Sequence, residues 1–219
     1  SGSGSVYVFT RSSTDDGTFT QQSKFHASDP GKNDYFGCSV SLYGDTALIG
    51  AFFDDDNGKS SSGSVYVFTR SSTDGGTFTQ QSKLHASDAA VGDSFGRSVS
   101  LYGDTALIGA HSVDNDNKSN SGSVYVFTRP SVDGTFTQQF KLHASDAAVD
   151  DYFGVSVSLY GDIALIGVPY DDDNSKSSSG SVYVFTRSST DGGTFTQQSK
   201  LHASDAAADD NFGRSVSLY

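Results

Sequence analysis

One stretch of 40 residues, GSVYVFTRSSTDGGTFTQQSKLHASDAAVGDSFGRSVSLY (63–102), recurs in close copies beginning at Gly4, Gly63, Gly122 and Gly180, at spacings of 59, 59 and 58 residues. A second unit, GDTALIGA or a close variant, appears at Gly44, Gly103 and Gly161 and runs into an acidic loop. A length of 219 residues alone would allow one or two ordinary domains. Near-identity at this period instead marks a propeller, a solenoid or an array. No single unit of that size can bury its own faces, so neighbouring units must stack.

Each repeat contains four strand candidates. In FGRSVSLY (95–102) Val99 and Leu101 point one way, while Ser98, Ser100 and Tyr102 point the other, the period-2 alternation of a strand. Gly103-Asp104 reads as a two-residue hairpin turn into TALIGA (105–110), an apolar run suited to burial on both faces. An acidic loop of about a dozen residues leads to GSVYVFT (122–128). There Val124 and Val126 share one face and Tyr125 and Phe127 the other, so this strand is expected between two layers. TFTQQFKL (135–142) is the most polar strand and reads as a sheet edge guarded by Lys141. With no helical periodicity anywhere, the expected fold is all-β: a β-propeller-type array of four-stranded antiparallel blades in about four repeats.

The order Phe-Gly, strand, turn, strand ending in a Gly-Ala-Pro position, acidic loop, GSVYVF resembles the FG-GAP repeat of integrin-α-type β-propellers, over essentially the whole chain. The matching residues are Phe36-Gly37, Phe95-Gly96, Phe153-Gly154 and Phe212-Gly213, with Gly50-Ala51, Gly109-Ala110 and Gly167-Val168-Pro169 as the second half of the motif. The resemblance implies a propeller, commonly extracellular and commonly used for adhesion or recognition. Calcium-binding blades of that kind carry a DxDxDG-like loop between the first two strands. Here that connection is only Gly44-Asp45 and its equivalents, so the resemblance brings no calcium site with it.

Cutting the single repeat domain (1–219) into blades gives complete blades at 36–85, 95–143 and 153–202, a partial blade at 1–28 and a lone first strand at 212–219. The two ends together make a blade lacking its second strand. Three arrangements follow: closure within one chain, association of copies into a ring or filament, or an open row. A bare blade face is sticky, so homo-oligomer formation through the chain ends is expected.

The formal charge of −12 disfavours nucleic acid and anionic membrane surfaces, both of which call for a basic face. No apolar run reaches the roughly 18 residues of a membrane helix, and no leader is visible. A single cysteine, Cys38, rules out an internal disulfide, and its equivalents Arg97, Val155 and Arg214 argue against a shared site at that position.

The acidic loops contain Asp54, Asp55, Asp56 and Asn57 in the first copy, Asp114 and Asp116 in the second, and Asp171, Asp172, Asp173 and Asn174 in the third. Clustered Asp and Asn oxygens suit a hard cation such as calcium, although no Glu follows at EF-hand spacing; a solubilising loop is the alternative. Only Asp55, Asp114 and Asp172 occupy a position that is Asp in every copy. A second pattern, Asp-x4-Asp-x-Phe-Gly, recurs at Asp29/Asp34, Asp88/Asp93, Asp146/Asp151 and Asp205/Asp210. It reads first as a turn-fixing carboxylate and second as a metal contribution. His26, His85, His143 and His202 share one repeat position, whereas His111 is unique. Phe52, Phe53 and Tyr170 lie off the strand positions, near the acidic loops, and are candidates for stacking on a sugar ring. Asn117-Lys118-Ser119 fits the N-glycosylation acceptor pattern.

No Ser-His-Asp or Cys-His constellation stands out, and near-identical copies do not favour a single active site. The expectation is a non-catalytic extracellular adhesion or structural module, self-assembling and calcium-stabilised. A lectin-like propeller with several equivalent weak sites for a protein or glycan ligand is the alternative; a propeller hydrolase or lyase ranks third.

Overall fold

The computed structural model describes residues 2–11, 17–70, 76–132, 134–173, 175–188 and 193–219. The strands are β1 (Val6–Arg11), β2 (Phe19–Phe25), β3 (Ser39–Tyr43), β4 (Thr46–Ala51), β5 (Ser64–Arg70), β6 (Phe78–Leu84), β7 (Phe95–Tyr102), β8 (Thr105–Ala110), β9 (Ser123–Thr128), β10 (Thr137–Leu142), β11 (Ser156–Tyr160), β12 (Ile163–Val168), β13 (Ser181–Arg187) and β14 (Phe195–Leu201). They form one two-stranded sheet, β1-β2, and three four-stranded antiparallel sheets, β3 to β6, β7 to β10 and β11 to β14, each in chain order. No helix occurs among the described residues. The fold is therefore all-β, a propeller-like array of blades whose sheets are not closed.

The turns obey their residues. Tyr102 pairs with Thr105, which makes Gly103-Asp104 a two-residue hairpin loop with Gly103 at a φ of +58°. The aspartate after each such glycine receives an arginine from the end of the third strand or the residue just after it: Arg70 reaches Asp45 at 2.7 Å, Arg129 reaches Asp104 at 2.7 Å and Arg187 reaches Asp162 at 3.0 Å. A two-residue connection of this kind has no room for a multi-ligand calcium loop between the first two strands.

Packing follows the two apolar faces of the third strand. Val65 and Val67 of β5 meet Tyr125 and Phe127 of β9 in one core, and Val124 and Val126 meet Tyr183 and Phe185 of β13 in the next. Val6 and Val8 of β1 meet Tyr66 and Phe68 in a third. Every interface thus sets a valine face against a tyrosine–phenylalanine face of the following blade. The phenylalanines of the first three Phe-Gly pairs, Phe36, Phe95 and Phe153, fill the space beneath those rings, while Phe212 is 37% exposed: Phe95 lies 5.5 Å from Tyr125 and 5.9 Å from Phe127, edge-on.

The glycines of the two half-motifs meet across blades. A Cβ on Gly109 would sit 2.1 Å from the Gly154 carbonyl oxygen, and one on Gly50 would sit 2.1 Å from that of Gly96. Only a hydrogen atom fits there. The innermost strands are bridged by serines. Ser98 Oγ donates to Gly154 O at 2.8 Å, while Ser100 Oγ accepts from Leu159 N at 3.0 Å. The same pair of bonds recurs from Ser39 and Ser41 to the second blade. Tyr43, Tyr102 and Tyr160 line up alongside at 5.1 and 4.9 Å. Residues 212–219, expected as a first strand, form none; Phe212 makes a parallel bridge to Gly180, Ser156 donates to Gly213 O and Leu218 N donates to Ser158, which places this segment where a fourth innermost strand would lie.

Candidate functional site

The acidic loops are built around the one position that is Asp in every copy. Asp55 accepts the Ser61 amide, Asp114 the Asn120 amide and Asp172 the Ser178 amide, each at 2.8 Å. These carboxylates are exposed, as are Asn57, Asp116 and Asn117. Asp54 and Asp171 are buried instead. Asp54 accepts Ser64 Oγ at 2.6 Å and pairs with Lys83 at 2.8 Å; Asp171 repeats this with Ser181 and Lys200. Asp56 lies 3.5 Å from Lys83, and Asp173 faces His202 at 3.5 Å. Asn174 lies outside the described residues. Among the described residues no group of three or more His, Cys, Asp or Glu side chains is arranged to hold a metal.

A repeated triad appears that sequence reasoning missed. Asp88 accepts Tyr125 OH at 2.8 Å and Lys141 Nζ at 2.8 Å. Asp29, Tyr66 and Lys83 form the same group, as do Asp146, Tyr183 and Lys200. The lysine expected to guard a sheet edge is therefore half-buried and ties the connection between blades to the next blade's third strand. Burial pushes the Asp88 carboxyl up, but the hydrogen bonds from Lys141 and Tyr125 outweigh it and hold its pKa below the usual value. The signal was in the sequence, as a fixed register between Asp, Tyr and Lys in every complete copy, but period-2 reading assigns each residue to its own strand or loop.

The second aspartate of each connection closes a tight turn. Asp93 accepts the Ala90 amide at 2.7 Å and Asp151 the Ala148 amide at 2.6 Å. Burial pushes Asp151 up to about 6, against the lowering effect of that amide.

The off-strand aromatics fall into two groups. Phe52 and Phe53 pack on each other at 4.1 Å and on Tyr35, with the Arg97 guanidinium 5.5 Å from the Phe52 ring. Tyr170 lies apart from them. It shares a cavity of about 390 Å³ with Arg97, His111, Tyr152, Val155 and Arg214. His111 and Tyr152 approach to 5.6 Å, Tyr152 and Tyr170 meet edge-on at 5.3 Å, and Arg214 donates to Tyr170 OH at 3.3 Å. Burial and the nearby Arg97 lower the His111 pKa to about 4, so the ring is neutral at pH 7.

Stacked four-stranded blades, joined by Phe-Gly and Gly-Ala contacts and repeated triads, define a propeller-like repeat protein. The FG-GAP repeat matches residues 19–68, 78–127, 136–185 and 195–219, and the chain belongs to that family. Each matched unit through residue 185 runs from the fourth strand of one blade to the third strand of the next. No curated protein matches the chain. Among solved structures, the crystal structure of Saccharomyces cerevisiae Sqt1 is similar at a TM-score of 0.46 and 10% identity. The match covers 78% of this chain and 36% of that one. No described helix is long and apolar enough to cross a membrane.

Proposed function

We propose that this chain is a non-catalytic extracellular adhesion or structural repeat module, and that the 219-residue polypeptide associates end to end with a second copy. The reading rests on the chemistry of the two end faces. One end presents Tyr7 and Phe9, 49% and 53% exposed, the ring face that every internal interface covers with valines. The other end carries the matching valines of β13, of which Val184 is partly exposed while Val182 is covered, at 5% exposure, beside Gly213. Tyr7 and Lys24 hold the triad positions of Tyr66 and Lys83 without an aspartate, while Asp205 holds the position of Asp146 with no tyrosine or lysine among the described residues. Docking one copy on the next completes the triad and sets valines against rings, the packing already present three times within the chain.

The composite blade would contain a first, third and fourth strand. The place of its second strand is an apolar groove of about 240 Å³ beside β1, lined by Val8, Phe25, Val40, Leu42, Ile49 and Phe78 among others. Val40 and Leu42 are 59% and 64% exposed there, whereas their counterparts Val99 and Leu101 are 9% and 5% exposed. Such a contact is heterologous, so it yields a ring if the rotation closes and a filament otherwise. Extracellular placement accords with the family and with the exposed Asn117 acceptor site.

The test is solution mass by multi-angle light scattering across a concentration series, in calcium and in EDTA. Association is expected, weakened by Asp205→Ala and by Tyr7→Ala. A mass of 23.0 kDa at every concentration would refute end-to-end docking. Loss of association in EDTA would assign calcium to the exposed loop carboxylates around Asp55, Asp114 and Asp172. Equal mass in both buffers would leave those carboxylates as acceptors that fix their own loops.

A further inference from the structure

The cavity around Tyr170 is chemically unlike the rest of the molecule. The chain carries 26 acidic residues against 14 Lys and Arg, yet this cavity is lined by two arginines and no carboxylate. Elsewhere Arg70, Arg129 and Arg187 are each paired with an aspartate. Arg97 and Arg214 pair with none among the described residues. Asp150, held by Asn120 Nδ2 at 2.8 Å, faces the Tyr152 hydroxyl and does not line the cavity. His111 Nδ1 is fully shielded from solvent and has no hydrogen-bond partner. Two guanidinium groups without carboxylate partners among the described residues, the His111 ring and two tyrosine rings thus line one space of ligand size, while His111 Nδ1 itself is turned away from solvent.

The site also breaks the repeat. The position of Arg97 and Arg214 is Cys38 in the first blade and Val155 in the third, and the position of His111 is Phe52 and Pro169. The first blade fills the corresponding space with Phe52, Phe53 and Tyr35 packed on one another. Of these equivalent places, the one between the second and third blades and the C-terminal segment combines an open cavity with the two arginines. Repetition alone cannot account for it.

We propose that this cavity binds an acidic sugar residue, its oxyanion received by Arg97 and Arg214 and its pyranose ring lodged against Tyr152 and Tyr170. Guanidinium groups offer paired N–H donors that match the geometry of a carboxylate or a sulfate. The edge-on setting of Tyr152 against Tyr170, at 66°, gives an angled wall in place of a parallel slot for a flat base. Tyr170 OH, which accepts from Arg214, has its own proton left to donate to a ring hydroxyl. At about 390 Å³ the space admits one or two sugar units. Arg214 belongs to the 212–219 segment that end-to-end docking would also use, but the cavity is complete within one chain, so ligand titration and solution mass test the two readings separately.

The probes are a galacturonate disaccharide, a sulfated galactose, neutral galactose and benzoate, titrated against the wild-type chain by calorimetry and by NMR shifts. Binding of the uronate, the sulfated sugar or both is expected, with the preference between them naming the oxyanion. Arg97→Val and Arg214→Val are expected to weaken it at least about tenfold each. Valine occupies this position at Val155, so these variants keep a residue the repeat already tolerates, and unchanged circular dichroism and melting would verify folding. His111→Phe, which installs the residue of the first blade, should block the cavity. Equal binding of benzoate would overturn the sugar assignment. Binding of neutral galactose as tight as that of the acidic sugars, or acidic binding unaltered in both arginine variants, would overturn the site.

Discussion

Gly109→Ala is the sharpest test of how the blades are joined. Gly109 has no positive φ, so alanine brings no backbone strain of the left-handed kind. Its Cβ would instead stand 2.1 Å from Gly154 O and 2.3 Å from Ser98 Oγ. Both neighbours belong to one inter-blade bond, Ser98 Oγ to Gly154 O at 2.8 Å. Forcing a methyl group into packed structure costs about 1–3 kcal/mol, and losing the hydrogen bond adds about 1 kcal/mol. The sum, about 2–4 kcal/mol, corresponds to a fall in Tm on the order of 10 °C for a chain of this length. Gly103→Ala provides the control. Its φ of +58° costs about 1 kcal/mol for a residue with a Cβ, but that Cβ meets nothing within 4 Å. Urea titration of both variants, followed by fluorescence and far-UV circular dichroism, measures the difference. If Gly109→Ala loses no more stability than Gly103→Ala, the close glycine contact does not hold the blades together.

Tyr125→Phe removes the donor to Asp88 and should cost about 1–2 kcal/mol by urea denaturation, whereas Tyr7→Phe, at a position with no aspartate partner, should cost nearly nothing in dilute solution. Asp151 should titrate with a pKa of about 6 in carboxyl-carbon NMR. Because its folded pKa is raised above the unfolded value near 4, its contribution is present below pH 4 and is lost as pH rises toward 6. Asp151→Asn should therefore remove part of the stability loss between pH 4 and pH 7, and an unchanged pH slope would contradict the burial assigned to this carboxyl. Asp88 and Asp146 act in the opposite sense: their folded pKa values are lowered, so the stability they contribute is lost as pH falls through the acidic range.

Much of the fold was legible because each signal was local. Alternation in SVSLY, the two apolar faces of SVYVF and the Gly-Asp turns are all read within a few residues. What stayed hidden is set by distance in the chain. Asp88, Tyr125 and Lys141 meet across separations of 37 and 53 residues, and no short-range pattern links them. The cavity was hidden for another reason. Divergence among copies at Cys38, Arg97, Val155 and Arg214 argues against a site repeated in every blade and says nothing about a site confined to one interface. A site confined to one interface needs that divergence, and only the packed structure shows that Arg97, Arg214 and His111 line one space. Tyr170, by contrast, could be singled out from sequence because it lies outside the strand pattern.

The offset between the family unit and the blade governs how such a chain can change in length. A unit such as 78–127 carries the outer strand of one blade and three strands of the next, so its two cut points fall inside sheets rather than between them. Gaining or losing one unit by unequal crossing-over therefore leaves no seam. The outer strand finds the sheet it would have joined anyway, and each valine face still meets a ring face. Stability then grows by a constant increment per unit. The cavity around Tyr170 does not scale in this way: copying a unit multiplies blades, while a unique residue such as His111 remains a single mark along an otherwise uniform lattice.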